Sequence, residues 1–398
     1  MSEITWQPGW ILQGDLAGIF ILDHSLLDGP DVLGDSFVGG SYTAIPNGLD
    51  FTLRRGRSGI RTSVQAGECH QAVLDEDGDY NPQNAASPNI ASLLPLRPFR
   101  IVGTHLAITY PVYYGFLTDI DHDADPLILT SNFSALDLYE WMGAVYPTIA
   151  STGATTTGAA IGKLLDALDF TDPSMRDLDT GSSIPDFSTD GTKTVLEELN
   201  LLLQADLGIC FVQRDEVVRY MDRASRWNSA SATFTFTTSQ INELRPSIGV
   251  RNLVNRQTVT RTGGVAQTYT DTASVQQYGF RDGQPITTTY LNNDTEALDL
   301  ATFLVALQSS PRPLSRSLTL NNLDDPTIVQ QLTIEVGDHC AVPVDADGAT
   351  IQASVEQIQH STSEGGTILT TTILLSEKTL TFFTLDVSLL DGSDVLAY

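Results

Sequence analysis

The chain has 398 residues, 41% of them apolar, so it can bury substantial cores and is too long for one ordinary domain. Lys and Arg number 21 against 49 Asp and Glu, and the formal charge of -28 opposes binding to nucleic-acid phosphates or anionic membranes by like-charge repulsion. The same acids keep a large surface soluble, and on a wall facing DNA they would let the polymer slide past without sticking.

Met1 to Trp10 lacks the basic flank and apolar run of a secretion signal, and no stretch approaches the roughly 20 apolar residues needed to span a bilayer. The expectation is a protein made in a cytoplasm, with no lipid anchor. Next comes an internal repeat. Phe20 to Leu33 reads FILDHSLLDGPDVL, and Phe383 to Leu396 reads FTLDVSLLDGSDVL. Asp-Gly marks a turn in each copy, and the apolar residues around it need a surface to cover them. The two copies read either as a duplicated structural turn or as one docking peptide used twice, and their place near the chain ends favours docking. The candidate docking residues are Phe20, Leu22, Asp23, Leu26, Leu27, Asp28, Gly29, Val32 and Leu33, with their counterparts Phe383, Leu385, Asp386, Leu389, Leu390, Asp391, Gly392, Val395 and Leu396.

Between Ser41 and Asp125, short alternating runs at Leu49–Arg54, Ala66–Leu74, Phe99–Leu106 and Val112–Ile120 predict antiparallel strands. The turn-rich segment 75–88, DEDGDYNPQNAASP, separates two of them. Ser131 to Tyr146 changes to a mixed or helical pattern, and STGATTTG at 151–158 marks a boundary. Ala160, Ile161, Leu164, Leu165 and Leu168 recur at helical spacing, as do Val195, Leu196, Leu199, Leu202 and Leu203. Gly208 is expected to end the second helix, followed by a hairpin of Ile209–Val212 and Val217–Met221 around Arg214-Asp215. Alternating runs return from Ala232 to Tyr290, pause for a helix with core face Leu298, Ala301, Phe303, Leu304 and Leu307, and resume at Leu314–Leu320, Leu332–Val336, Val355–His360 and Ile368–Leu375.

The expected fold is therefore mainly β with an α+β insertion: two antiparallel β-barrel or sandwich domains flanking a small α/β domain. In residues, 1–40 is an N-terminal docking segment, 41–150 a first barrel-like domain and 151–225 the insertion. A second barrel-like domain spans 226–382 with its helix near 295–308, and 383–398 is a C-terminal docking segment.

Little catalytic chemistry stands out. Cys69-His70 and His339-Cys340 lie in strands, where neighbouring side chains point to opposite faces. GRSG at 56–59 lacks the spacing of a nucleophile elbow, and GAAIGKL at 158–164 is one residue short of a phosphate loop, with Leu164 where a hydroxyl belongs. Asp119, Asp121, Asp123 and Asp125, and separately Asp75, Asp77, Asp79 and Asn81, could offer oxygens to a hard cation, but solvated hairpin tips account for them more simply. Cys69, Cys210 and Cys340 are odd in number and far apart, as core residues would be. Trp6, Trp10, Trp141 and Trp227 are scattered, and core or interface packing accounts for them. No cofactor or metal is expected.

The run GECHQAVLDEDGDYNPQNAASPNIASLLPLRPFRI, residues 67–101, resembles a segment of minor tail proteins of phages infecting actinobacteria, as does DLDTGSSIPDFSTDGTKTVLEELNLLLQADLGICFVQRDEVVRYMDR, residues 177–223. Tyr114-Gly115 and the terminal LLDG segments belong to the same picture. Arg214-Asp215-Glu216 departs from the Asp-Gly expected at a hairpin tip. The resemblance implies a baseplate, or tail-tip, hub of a long-tailed phage: a non-enzymatic homotrimer in the virion whose two tube-like β-barrel domains per chain present six similar barrels to a hexameric ring. It also implies distal-tail or tail-tube ring proteins, a tape-measure protein and other tail-tip proteins as partners, with viral DNA passing without specific binding. The alternatives are a hexameric distal tail ring protein, a receptor- or carbohydrate-binding tail protein, and a cell-wall hydrolase whose carboxylates hide among the acids.

Overall fold

The computed structural model describes residues 4–10, 43–58, 64–90, 93–124, 129–228, 232–241, 243–247, 253–310, 314–322, 325–343 and 350–377. Both LLDG copies, the end of the GRSG motif and Asp125 lie outside the described residues.

The first β-rich region comprises β1 (Thr5–Trp10), β2 (Thr43–Ala44), β3 (Gly48–Gly56), β4 (Gln65–Leu74), β5 (Pro98–His105), β6 (Ile108–Ala124) and β7 (Leu129–Leu136). They pair antiparallel in the order β3-β4-β7-β6-β5-β1-β2. Period-two alternation sends Phe51, Leu53, Cys69, Phe133 and Ala135 inward and Thr52, His70 and Asn132 outward. The sheet curls until its two ends meet: the Trp6 ring contacts Phe51 edge-on at 4.9 Å, and its Nε1 donates to Gly366 O at 2.9 Å. Thr5–Trp10, grouped by position with the N-terminal docking segment, is thus a strand of this sheet.

The insertion follows through α1 (Leu138–Ala144), β8 (Thr148–Ile149), β9 (Thr155–Thr156), α2 (Thr157–Asp166), β10 (Arg176–Leu178), β11 (Ser183–Ile184), β12 (Thr189–Asp190), α3 (Val195–Asp206), β13 (Ile209–Val212), β14 (Val218–Met221) and α4 (Arg223–Asn228). A capping box between Thr194 and Glu197 starts α3, satisfying orphan donors at its first turn. At its far end the left-handed residue is Leu207, not Gly208. Gly208 is needed for close approach instead, because a Cβ there would stand 2.7 Å from Met221 O and 2.8 Å from the Tyr220 ring. The β13–β14 hairpin forms as expected, and Glu216 takes the positive φ of 79° at its turn.

The last region holds β15 (Phe234–Thr235), β16 (Glu243–Ser247), β17 (Arg256–Arg261), β18 (Gln267–Thr270), α5 (Thr272–Tyr278), β19 (Ile286–Thr288), α6 (Asp294–Gln308), β20 (Leu314–Asn321), α7 (Asp325–Thr333), β21 (His339–Pro343), β22 (Thr350–Ser363) and β23 (Ile368–Glu377). Three expectations need correction. Leu332–Val336 is not a strand: Leu332 and Thr333 form the end of α7, whose Ile328 and Leu332, four residues apart on one helical face, enter the core of the first β region. The run from Ala232 to Tyr290 contains α5, capped by Asp271 accepting from Ser274 N. On α6 the buried residues are Ala297, Leu300, Ala301, Phe303, Leu304 and Val305, while Leu298 faces outward.

β22 and β23 join the two β-rich regions. The N-terminal half of β22 pairs with β21 and its C-terminal half with β3, giving one 13-stranded sheet. Most ladders are antiparallel, but β15–β21, β10–β14 and β17–β19 are parallel. The insertion and the last region share one apolar core, running from Leu164, Leu202 and Phe211 to Leu300, Ile358 and Ile373.

Candidate functional site: a polar sheet face and the charge junction behind it

Register places outward-facing polar residues side by side across seven strands, in the order β20-β23-β22-β3-β4-β7-β6. One row runs Asn321, Thr370, Ser361, Thr52, His70, Ser134, Asp119, each paired with the next. A second runs Thr319, Thr372, Gln359, Arg54, Glu68. Short side-chain bonds tie neighbours: His70 Nδ1 and Ser134 Oγ lie 3.0 Å apart, and Arg54 Nε meets Glu68 Oε1 at 3.0 Å. At one flank Asp119, Asp121 and Asp123 stand exposed on β6. The reverse side of the same strands is closed by Leu320, Thr371, His360, Leu53, Cys69, Ala135 and Leu117, all buried. Burial, and then the charges of Arg55 and Arg214, push the His360 imidazole down to about 3, so it stays neutral while its Nδ1 pairs with Thr371 Oγ1 at 2.9 Å.

Behind this face lies a buried cluster of charges at the point where β22 changes partners. The register of β22 shifts between Val355 and Gln357, and that bulge turns the side chain of Glu356 into the interior. Its Oε2 accepts from Arg57 Nε at 2.6 Å, and its Oε1 from Arg226 Nη2 and Ser376 Oγ, each at 2.5 Å. The donors come from the residue after β3, from α4 of the insertion, and from β23. Against the penalty of burial, the charges of Arg226 and Arg57 hold the Glu356 carboxyl down to about 2. Burial also draws the Arg226 guanidinium down to about 10, which leaves it charged at neutral pH. Gly56 lets β3 approach: with φ of 105°, its Cβ would lie 2.2 Å from Glu356 O. Beside this cluster, Glu335 accepts from Arg55 Nη1 at 2.5 Å, Val336 N at 2.9 Å and Arg214 N at 3.0 Å. Sequence alone offered no sign of either carboxylate, because their arginine partners lie 121 to 299 residues away along the chain.

The candidates weighed from sequence fall as follows. Cys69 is buried and His70 exposed on opposite faces of β4. His339 and Cys340 also face opposite ways, but both are buried, because β21 is covered on both sides. GAAIGKL opens α2 packed tightly on the chain, with Gly158 N donating to Thr180 O. The 75–90 segment is a string of turns with a three-residue period: Gly78, Asn81, Asn84, Ser87 and Ile90 each donate to the carbonyl three residues back. Asp75 is no solvated tip, since it is buried and accepts from Tyr80 N and Ser131 Oγ. Among the described residues no group of three His, Cys, Asp or Glu is placed to hold a metal ion. Trp227 is buried, and Trp141 packs edge-on against Phe116. A small cleft between the insertion and α6 is lined by Ser182, Tyr290, Glu296 and Asp299; Glu296 already accepts from Asn292 N at 2.8 Å and Asn292 Nδ2 at 3.0 Å. Among the described residues no helix is long and apolar enough to cross a membrane.

No model of a known protein family matches the chain, and no curated protein matches it. Solved structures share its fold. The 43 kDa tail protein of prophage MuSo2 from Shewanella oneidensis superposes with a TM-score of 0.57 at 12% identity, over 94% of this chain and 97% of that one. The tail protein from Neisseria meningitidis MC58 gives a TM-score of 0.54 at 12% identity, over 85% of this chain and 94% of that one.

Proposed function

We propose, from a fold shared with two tail proteins, that this chain is a structural protein of a phage tail, and more specifically a homotrimeric hub at the tail tip. In this reading it sits in the virion, adapts the hexameric tail to a three-fold tip and forms part of the conduit through which DNA leaves. The observation that carries the reading is the seven-strand polar face. A surface past which DNA must slide should offer neither free cations to phosphates nor apolar platforms to bases. The two rows meet both conditions: hydroxyls, amides and one imidazole dominate, the single arginine Arg54 is paired with Glu68, and exposed aspartates line the β6 flank. Because β22 joins two β-rich regions into one sheet, each chain contributes two adjoining panels, and three chains would contribute six to a six-fold ring.

The partners in this reading are distal-tail or tail-tube ring proteins, the tape-measure protein and other tail-tip proteins, with DNA as unbound cargo and no chemistry catalysed. The narrower likeness to actinobacteriophage proteins rests on segments 67–101 and 177–223. Light scattering on purified protein across micromolar concentrations tests the assembly. A mass three times 43.1 kDa supports the hub. A six-fold mass moves the protein to a distal ring, and a monomer at every concentration refutes self-assembly into a trimer.

A further inference from the structure

The first β-rich region leaves three large apolar side chains exposed on the segment that leads into β5. Trp10, the last residue of β1, pairs with both Phe99 and Thr43, so the two residues to which the 11–42 segment is attached stand at one register position, next to Phe99. The chain leading into Phe99 carries Ile90, Leu94 and Leu96, which are 38%, 45% and 51% exposed. Leu96 is held outward by its backbone, since its N–H donates to Leu117 O and Leu117 N donates to Arg97 O at 2.8 Å. It also takes a φ of 64°, a left-handed conformation that is unusual for a bulky residue.

Midway along the departing segment stand Phe20, Leu22, Leu26, Leu27, Val32 and Leu33, interleaved with Asp23, Asp28 and Asp31. The linkers on either side of the motif can each extend about 30 Å, so reach does not limit contact with a surface next to their own attachment point. We propose that residues 20–33 of the same chain dock on this segment, their apolar residues covering the exposed Ile90, Leu94 and Leu96. The copy at 383–396 then carries the same recognition chemistry while its counterpart fills the site in cis.

The test places a photoreactive benzoylphenylalanine at Leu94 in the full chain, in a mixture of light and nitrogen-15 protein, and maps the adducts by mass spectrometry. Adducts to residues 20–33 of the same isotopic chain are expected. Adducts to 383–396, adducts only between chains, or none to 20–33 would overturn the assignment. A second arm needs no crosslink. A synthetic peptide of residues 20–33 should bind the full-length Leu26→Asp/Leu27→Asp variant at least about tenfold more tightly than wild type, because the site is vacated. Adding Leu94→Asp and Leu96→Asp should remove that gain, and equal binding to all three proteins would refute the docking. Both arms read the single chain, so failure of the trimer reading would leave them standing.

Discussion

Replacing Glu356 with alanine should remove the carboxylate that contacts both Arg57 and Arg226, leaving two buried guanidinium groups without this counter-charge. Two independent estimates give the size of the loss. The carboxyl is held at about 2 against its usual 4.5, a difference worth about 3 kcal/mol of preferential stabilisation of the ionised form in a fully buried setting. Breaking one partner of a buried ion pair costs about 3–5 kcal/mol in general. The two ranges overlap, so a loss of about 3–4 kcal/mol is expected. Urea unfolding followed by Trp227 fluorescence would measure it, since Arg226 lies over that indole at 4.5 Å and reports the site directly. Because the folded pKa is depressed, the contribution is present above pH 4.5 and vanishes as pH falls through about 2. A loss below about 1 kcal/mol at pH 7 would show that the junction is solvated or relaxes freely, and the reasoning would fail.

Burial raises the Asp137 carboxyl to about 7, above its usual 3.8, despite hydrogen bonds from Tyr139 N and Gly67 N. Folding therefore favours its protonated form, so its effect on stability worsens as pH rises from about 4 to 7; Asp137→Ser, which keeps an N-cap oxygen, should flatten that slope in melting curves across this range. Gly56→Ala should prevent soluble expression or lower the melting temperature steeply, since the added Cβ collides with backbone at a positive φ; a melting point within a degree of wild type would contradict the geometry. Leu332→Ala should cost about 2–5 kcal/mol in denaturant unfolding, and a surface-like loss of a few tenths would exclude α7 from the core of the first β region. Asp119→Asn, Asp121→Asn and Asp123→Asn together should leave stability within about 0.5 kcal/mol; under the proposed hub function they should slow DNA ejection from reconstituted particles, and an unchanged rate would count against that role for these acids.

The long strands were readable because they obey one local rule. Phe51-Thr52-Leu53-Arg54 and Cys69-His70-Gln71 alternate as a half-buried sheet requires, and Val195, Leu199, Leu202 and Leu203 recur at the spacing of the buried face of α3. Legibility failed where a residue answers to a distant partner. Leu332–Val336 is apolar and alternating enough for a strand, but Ile328 and Leu332 are drawn as a helix onto the core of the first β region. Leu207 adopts the left-handed geometry that its neighbour Gly208 would hold more easily, because Gly208 is claimed by the approach of Met221 and Tyr220. Asp75, one of many acids in a turn-rich loop, gives no local hint that Ser131 and Tyr80 will enclose it. The polar face was half visible: the alternating aspartates of β6 were plain, but which strands stand beside them is a matter of register across the whole chain.

The long pairing of β22 with β23 has a mechanical consequence. These antiparallel strands run side by side from Ala353–Glu377 to Ser363–Ile368, and β22 is bonded on its other edge to both β21 and β3. A pull along the strand direction must strain many of these bonds together in shear, whereas a pull across them would peel them one at a time. A particle that experiences thrust along its axis therefore gains a stiff panel only if it orients these strands with the thrust. Widening a passage built from such panels by opening one of them along β22 would have to break its ladder with β23, or those with β21 and β3.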